Sequence, residues 1–261
     1  MPTARGRRHL PWMLLGLVIG AAACRPSAAP TRVAAASDLQ FALPEVARTY
    51  TQETGRTVDL VFGSSGTLAR QIQDGAPFVV FLSADERLVD QLDKAGLTRG
   101  RGEIYAIGRL ALFAPTGSAL VPAEGLAGLA RLLDRGMPGR LAIANPTHAP
   151  YGRAAEQALR RHGLWDALQP SLVLGEHVSQ AAQFASAGDA IGGIVAYSLV
   201  LAPAMRERGT HALLPAEDHE PLRQRMVLLA SADAAAEQFF RYLQTPAARA
   251  TLARHGFAVP D

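Results

Sequence analysis

The chain has one cysteine, Cys24, and one lysine, Lys94, among its 261 residues, and aromatic side chains make up only 6% of it. A single thiol cannot close an intrachain disulfide, so the fold must be held by its core alone. Beyond the first 23 residues no uncharged apolar run approaches the ~20 residues that cross a bilayer, which excludes a polytopic membrane protein. No phosphate loop or dinucleotide fingerprint is present. The turn Gly63-Ser64-Ser65-Gly66 is followed by Thr67, so the G-x-S-x-G spacing of a nucleophile elbow fails and no catalytic residue is expected. Histidines 148, 162, 177, 211, 219 and 255 show no H-x-x-x-H pairing, and no cationic metal site or cofactor is expected either. What the chain does have is apolar material: 49% of it is hydrophobic and 19% charged, which excludes intrinsic disorder and suits one large domain or two lobes.

The net charge of +3 invites a nucleic-acid partner until its location is considered. Arg5, Arg7 and Arg8 precede an apolar run from Leu10 to Ala23 that ends in Ala21, Ala22 and Ala23. This is the positive, apolar and small-residue order of a bacterial secretory signal over residues 1–23. Removing three of the 26 basic residues leaves 23 against 23 acidic ones, so the exported chain carries no net charge and no nucleic-acid partner is expected. Cys24 directly after three alanines resembles a lipobox, where the cysteine becomes the acylated first residue. Ala21 and Ala23 equally satisfy an A-x-A cleavage rule, which would leave the thiol unmodified. A periplasmic location follows from either reading, lipid-anchored through Cys24 in the first. Residues 24–30 read as a short tether.

From Thr31 onward short β-branched runs alternate with segments of helical period. Expected strands are 32–36, 58–62, 78–82, 110–114, 141–144, 172–174, 191–195 and 226–229. Expected helices are 39–54, 67–74, 86–95, 151–162, 179–187 and 233–255, the last interrupted near Pro246. Asp38 is positioned to cap the first helix and Gly55 to end it. Residues 115–139 and 215–221 read as loop-like stretches flanking an inserted lobe. The class is α/β, with mostly parallel sheets covered on both faces.

Two segments share one design, AAASDLQFAL with Ser37 and VFGSSGTLARQI with Ser64 and Ser65: an apolar strand ends, small hydroxyl residues follow, and a helix begins. Such a junction presents hydroxyls and unpaired helix amides at the carboxyl edge of a sheet, where an anion can be held without a formal cation. The plainer reading is that each serine only caps a helix. IANPTHAPYGRAAEQAL, entering a helix near Tyr151, and LVLGEHVSQAAQFA, with Val178 and Ser179, repeat the design in the second half. His148 and His177 lie in those loops and are candidates for tuning pH dependence.

Taken in order, AAASDLQ at 34–40, FGSSGTLARQIQDGAP at 62–77, FLSAD at 81–85, ANPTHAPYGRAAEQAL at 144–159, GEHVSQAAQFA at 175–185, GIVAYS at 193–198 and YLQTPAARATLARHGF at 242–257 resemble the periplasmic molybdate-binding proteins of ABC transporters. The resemblance implies a two-lobed periplasmic binding protein fold of type II with a two-segment hinge, lobe I being 31–108 with 224–261 and lobe II 109–223. It implies a molybdate or tungstate ligand, an ABC permease as partner and a monomer. Carried over residue by residue, Ser37 and Ser65 would donate hydroxyl and amide hydrogen bonds, and Tyr151 and Val178 backbone amides. Tyr197 would supply a hydroxyl from one position beyond Ala196, where the family often has a tyrosine. Gly66 stands where the family usually has a third serine, and Val79 where it has an aspartate. Another oxyanion such as sulfate, a small organic acid, and an exported enzyme on the same fold are the alternatives.

Overall fold

The computed structural model describes residues 1–2, 31–136, 139–188 and 190–260. Apart from its first two residues, the expected export signal lies outside the described residues, as do the tether and Cys24. Among the described residues ten strands form two five-stranded sheets. They are β1 (Thr31–Ala36), β2 (Val58–Gly63), β3 (Val80–Ser83), β4 (Glu103–Gly108), β5 (Leu110–Pro115), β6 (Arg140–Ala144), β7 (Leu172–Gly175), β8 (Ala190–Ala196), β9 (Gly209–Leu213) and β10 (Leu222–Leu228). The helices are α1 (Ala42–Thr54), α2 (Ser65–Gln73), α3 (Glu86–Lys94), α4 (Gly125–Asp134), α5 (Pro150–Arg161), α6 (Trp165–Leu168), α7 (Val178–Ser186), α8 (Tyr197–Val200), α9 (Pro203–Arg206), α10 (Ala234–Tyr242) and α11 (Pro246–Arg254).

The first sheet runs β2-β1-β3-β10-β4 and the second β7-β6-β8-β5-β9. Each is mixed: β1 pairs in parallel with β2 and β3, and β6 with β7 and β8, whereas β10 and β5 run antiparallel to both their neighbours. The chain crosses between the sheets twice, at Arg109 and over residues 214–221. The second crossing returns the chain to β10 at Leu222.

Side-chain alternation explains how the first sheet is covered on both faces. Val33, Ala35, Val80, Leu82 and Met226 pack with Leu43, Tyr50 and Phe239 on one face. Ala34, Phe81 and Val227, one residue out of phase, pack with Leu68, Val89 and Leu92 on the other. Tyr50 meets Phe239 and Tyr242 edge-on at 5.1 Å each. The second sheet holds a single core around Phe113, Leu129, Leu141 and Ile194.

Two details differ from the sequence reading and one agrees with it. Asp38 does not cap α1, which starts at Ala42 without a side-chain cap; Asp38 is buried in a 3₁₀ turn over Ser37–Leu39. Gly55 does end α1, at φ 70. The stretch 115–139 contains α4, whose Leu126 and Leu129 enter the core despite glycines at 125 and 128.

Candidate functional site

The carboxyl ends of the parallel strands of both sheets converge where the lobes meet, the position at which α/β sheets expose helix N-termini. β1 ends at Ala36 and Ser37 opens the 3₁₀ turn. β2 ends at Gly63, Ser64 caps α2 by accepting the Thr67 N–H at 3.2 Å, and Ser65 is the first helical residue. From the second lobe, Pro150 opens α5 with Tyr151 next, and Val178 opens α7. Ala36, Ser37, Asp38, Gly63, Ser64, Ser65, Ala84, Ala149, Pro150, Tyr151 and Val178 enclose a pocket with no more than about 190 Å³ of empty space. Sites for drug-sized organic ligands measure roughly 300–1,000 Å³, so this one suits a small ion.

The two serine hydroxyls are held by backbone amides, that of Ser65 from its own lobe and that of Ser37 from the start of α7 in the other. Ser65 Oγ accepts the Ala84 N–H at 2.9 Å and Ser37 Oγ accepts the Ser179 N–H at 3.4 Å, which leaves each hydroxyl proton available. The Tyr151 and Val178 amides lie in the first turns of α5 and α7, where no intrahelical acceptor exists, and neither has another acceptor among the described residues. His177 caps α7: its Nδ1 accepts the Gln180 N–H at 3.2 Å, and burial pulls the ring below its ordinary range, which keeps it a neutral acceptor. Two hydroxyls and two helix-terminal amides directed at one small space can satisfy the oxygens of an anion.

Asp38 sits in the same lining and is 1% exposed. Its Oδ2 accepts the Tyr151 O–H at 2.8 Å and the Gln224 Nε2–H at 2.6 Å. Burial raises its pKa to about 6 against the opposing pull of these two bonds. The β10–β4 pairing shifts register directly after Gln224, between it and Arg225. Gly108, at the end of β4, makes room for the group: a Cβ there would lie 2.4 Å from Tyr151 Oη and 2.7 Å from Gln224 Nε2.

The lobes touch directly around the pocket. The Gly66 N–H donates to His148 O at 3.1 Å, and a Cβ on Gly66 would lie 2.4 Å from that oxygen, so only glycine permits the approach. His148 Nδ1 lies 3.0 Å from Ser64 Oγ, and its Nε2 is 3.4 Å from Glu176. Arg153 of α5 pairs with Asp85, the buried cap of α3, and Ser198 Oγ donates to Asp38 O at 2.8 Å.

Of the residues expected to bind ligand, Ser37, Ser65, Tyr151 and Val178 line one pocket. Tyr197 is not among the lining residues. Its backbone N–H is held by Arg109 O, and its ring lies edge-on to His211 at 5.9 Å and against Gly256. Helix α8 starts at Tyr197, so it is Ser198, one position on, that reaches the first lobe. Asp38 and Gln224 were not expected at the site, whereas Ser64 lay in one of the expected strand-to-helix junctions. The paired hydroxyls of the GSSG turn signalled Ser64, but no local pattern marks Gln224, which lies 186 residues from Asp38.

Two α/β lobes closed on a small, donor-lined pocket constitute a solute-binding architecture. A profile described as bacterial extracellular solute-binding protein matches residues 31–258. The chain belongs to that family. It is 36% identical over 252 residues to the molybdate-binding protein ModA of Rhodobacter capsulatus, covering 93% of each chain. It is 34% identical over 250 residues to ModA of Azotobacter vinelandii, covering 95% of this chain and 97% of the relative. The solved structure of the Azotobacter vinelandii periplasmic molybdate-binding protein superposes with a TM-score of 0.80 at 33% identity, covering 88% of this chain and 99% of that one.

Proposed function

We propose that the protein captures molybdate or tungstate in the interlobe pocket and delivers it to an ABC permease. The observation that carries this reading is the convergence of the Ser37 and Ser65 hydroxyls with the Tyr151 and Val178 amides on a space too small for most organic solutes. Hydrogen bonds to a charged oxygen contribute about 1.5–3 kcal/mol each, and a rigid set of donors selects by oxyanion radius. Sulfate, being smaller, would not meet every donor at once. The protein acts by binding and closure, with no chemistry on the solute and no cofactor.

In this reading residues 31–108 with 224–261 form the first lobe and 109–223 the second, with Leu222 and Arg223 already paired into β10 of the first sheet, and the two crossovers act as hinge. Closure excludes water, strengthens each hydrogen bond and creates the surface that a permease reads. Only a solute that binds the closed form better can drive it. The protein works as a monomer in the periplasm, exported by residues 1–23 and held at the membrane by a lipid on Cys24.

A thermal-shift panel tests the ligand. At 100 times its dissociation constant a bound solute adds about 2.7 kcal/mol of stability. Molybdate and tungstate are expected to raise the melting temperature with sulfate and small carboxylates well behind. A shift with sulfate or a carboxylate alone would overturn the assignment.

A further inference from the structure

A carboxylate in the wall of an anion pocket calls for an explanation, and the surroundings of Asp38 supply one. The side chain is buried, it lines the pocket, and its Oδ1 has no hydrogen-bond partner among the described residues. No arginine, lysine or histidine is bonded to it among the described residues. The titratable groups facing it are Tyr151 of α5 and Tyr105 of β4, both pushed well above the ordinary tyrosine range by burial and by the charge of Asp38, and therefore neutral. β10 contributes only the amide of Gln224, and α8 the hydroxyl of Ser198. A dianion placed here would meet a second negative charge that is held by neutral donors alone, the Tyr151 hydroxyl, the Gln224 amide and the backbone amides of Asp38 and Leu39, and like charges sharing a dry site favour uptake of a proton by one of them.

Resting on the oxyanion reading above, we propose that capture is coupled to a proton: each dianion bound at neutral or higher pH brings one proton from solvent onto Asp38, with Oδ1 as the oxygen free to accept it. The only covalent change is the new Asp38 O–H bond, and the complex carries the charge of the free protein plus that of the dianion and one proton. The carboxyl thereby changes from a repelling acceptor into a fifth hydrogen-bond donor. Its environment already brings this state within reach, since a group titrating at about 6 is protonated roughly one time in thirty at pH 7.5, before any dianion arrives. His148 and His177 also border the site, one against Ser64 and the other capping α7 with its ring held neutral by burial.

Calorimetric titration of the purified protein with sodium molybdate at pH 8, in Hepes and in Tris, counts protons from the difference in apparent heat. The expected uptake is close to one per molybdate, falling to about one half near pH 6, where Asp38 is half protonated before binding. Apparent affinity is expected to fall about tenfold per pH unit between pH 7 and 9. Asp38→Asn, which carries its own donor, is expected to show no uptake and a flat pH profile. Binding by the unaltered protein with no uptake would overturn the coupling and leave molybdate capture standing. Uptake persisting in Asp38→Asn would overturn the assignment to Asp38, and no molybdate heat at any pH would overturn both readings.

Discussion

The two lobes equip the shared pocket by different means. The first brings side chains: Ser65 and Ser37 present hydroxyls that accept from the Ala84 and Ser179 amides, and Asp38 a carboxyl fixed by Tyr151 and Gln224. The second brings backbone, the amides of Tyr151 and Val178 in the first turns of two helices, while the Tyr151 hydroxyl is turned back to brace Asp38. A hydroxyl is lost with its residue, whereas a helix-terminal amide persists through most substitutions. The first half of the pocket should therefore be fragile to single mutations and the second tolerant, except where a substitution obstructs the approach of the lobes.

The sharpest way to break the comparison is to block that approach. Gly66→Ala places a Cβ where His148 O lies 2.4 Å away, between two backbones that cannot turn aside. With overpacking at about 1–3 kcal/mol, molybdate affinity is expected to fall on the order of a hundredfold, with scattering showing a more open particle in the presence of ligand. Ser65→Ala comes next. Loss of one donor to a charged oxygen, with the Ala84 amide left unpaired, should weaken binding about tenfold to a hundredfold in the same calorimetry. Val178→Ala keeps its amide and is expected to stay within about threefold of the parent; an effect as large as that of Ser65→Ala would dissolve the distinction between the lobes.

Arg153→Ala addresses the interlobe contact outside the pocket. Its partner Asp85 is buried and Arg153 half-exposed, so the pair lies between surface and interior values, on the order of 2 kcal/mol. Expressed only in the closed form, that loss should appear mainly as faster ligand release in stopped-flow dissociation.

Thermal melts across pH give the most specific readout of the Asp38 carboxyl. The folded-state pKa of Asp38 is about 6 against 3.8 for an unperturbed aspartate. Below pH ~4 both states are protonated and burial of the carboxyl costs nothing. Stability is then lost as pH rises through 6, and the loss levels off above that at about 3 kcal/mol. Asp38→Asn should remove this decline, its melting temperature gaining on the parent between pH 4 and 6 and holding the lead at pH 7. Parallel curves would mean that the carboxyl is not buried as described.

Most strands could be read from the sequence because nearly continuous apolar runs admit few other structures: Val33 to Ala36 and Leu110 to Ala114 are buried throughout. The two that escaped, β4 and β9, are partly exposed edge strands, and β9 has no fully buried residue to mark it. α4 was hidden by its glycines, although leucines at 126, 129 and 133 carry helical spacing. Ser37 and Ser65 stood out because a hydroxyl after an apolar strand is a local pattern. Tyr197 was expected at the pocket, yet the direction of a side chain at a helix start depends on where the helix begins, and a shift of one residue sends the ring to His211 and leaves Ser198 facing the first lobe.

The sequence by itself determined the α/β alternation, the strand-to-helix junctions and the hydroxyls placed at them, because each depends on a few neighbouring residues and on the 2.0 and 3.6 periods of the backbone. Tertiary structure alone decided that Asp38 is a buried pocket residue and not a helix cap. The groups that bury and bond it, Tyr151 and Gln224, lie 113 and 186 residues away. Desolvation of a carboxylate is a property of everything packed around it, and the mutual approach of the lobes is what packs those groups there.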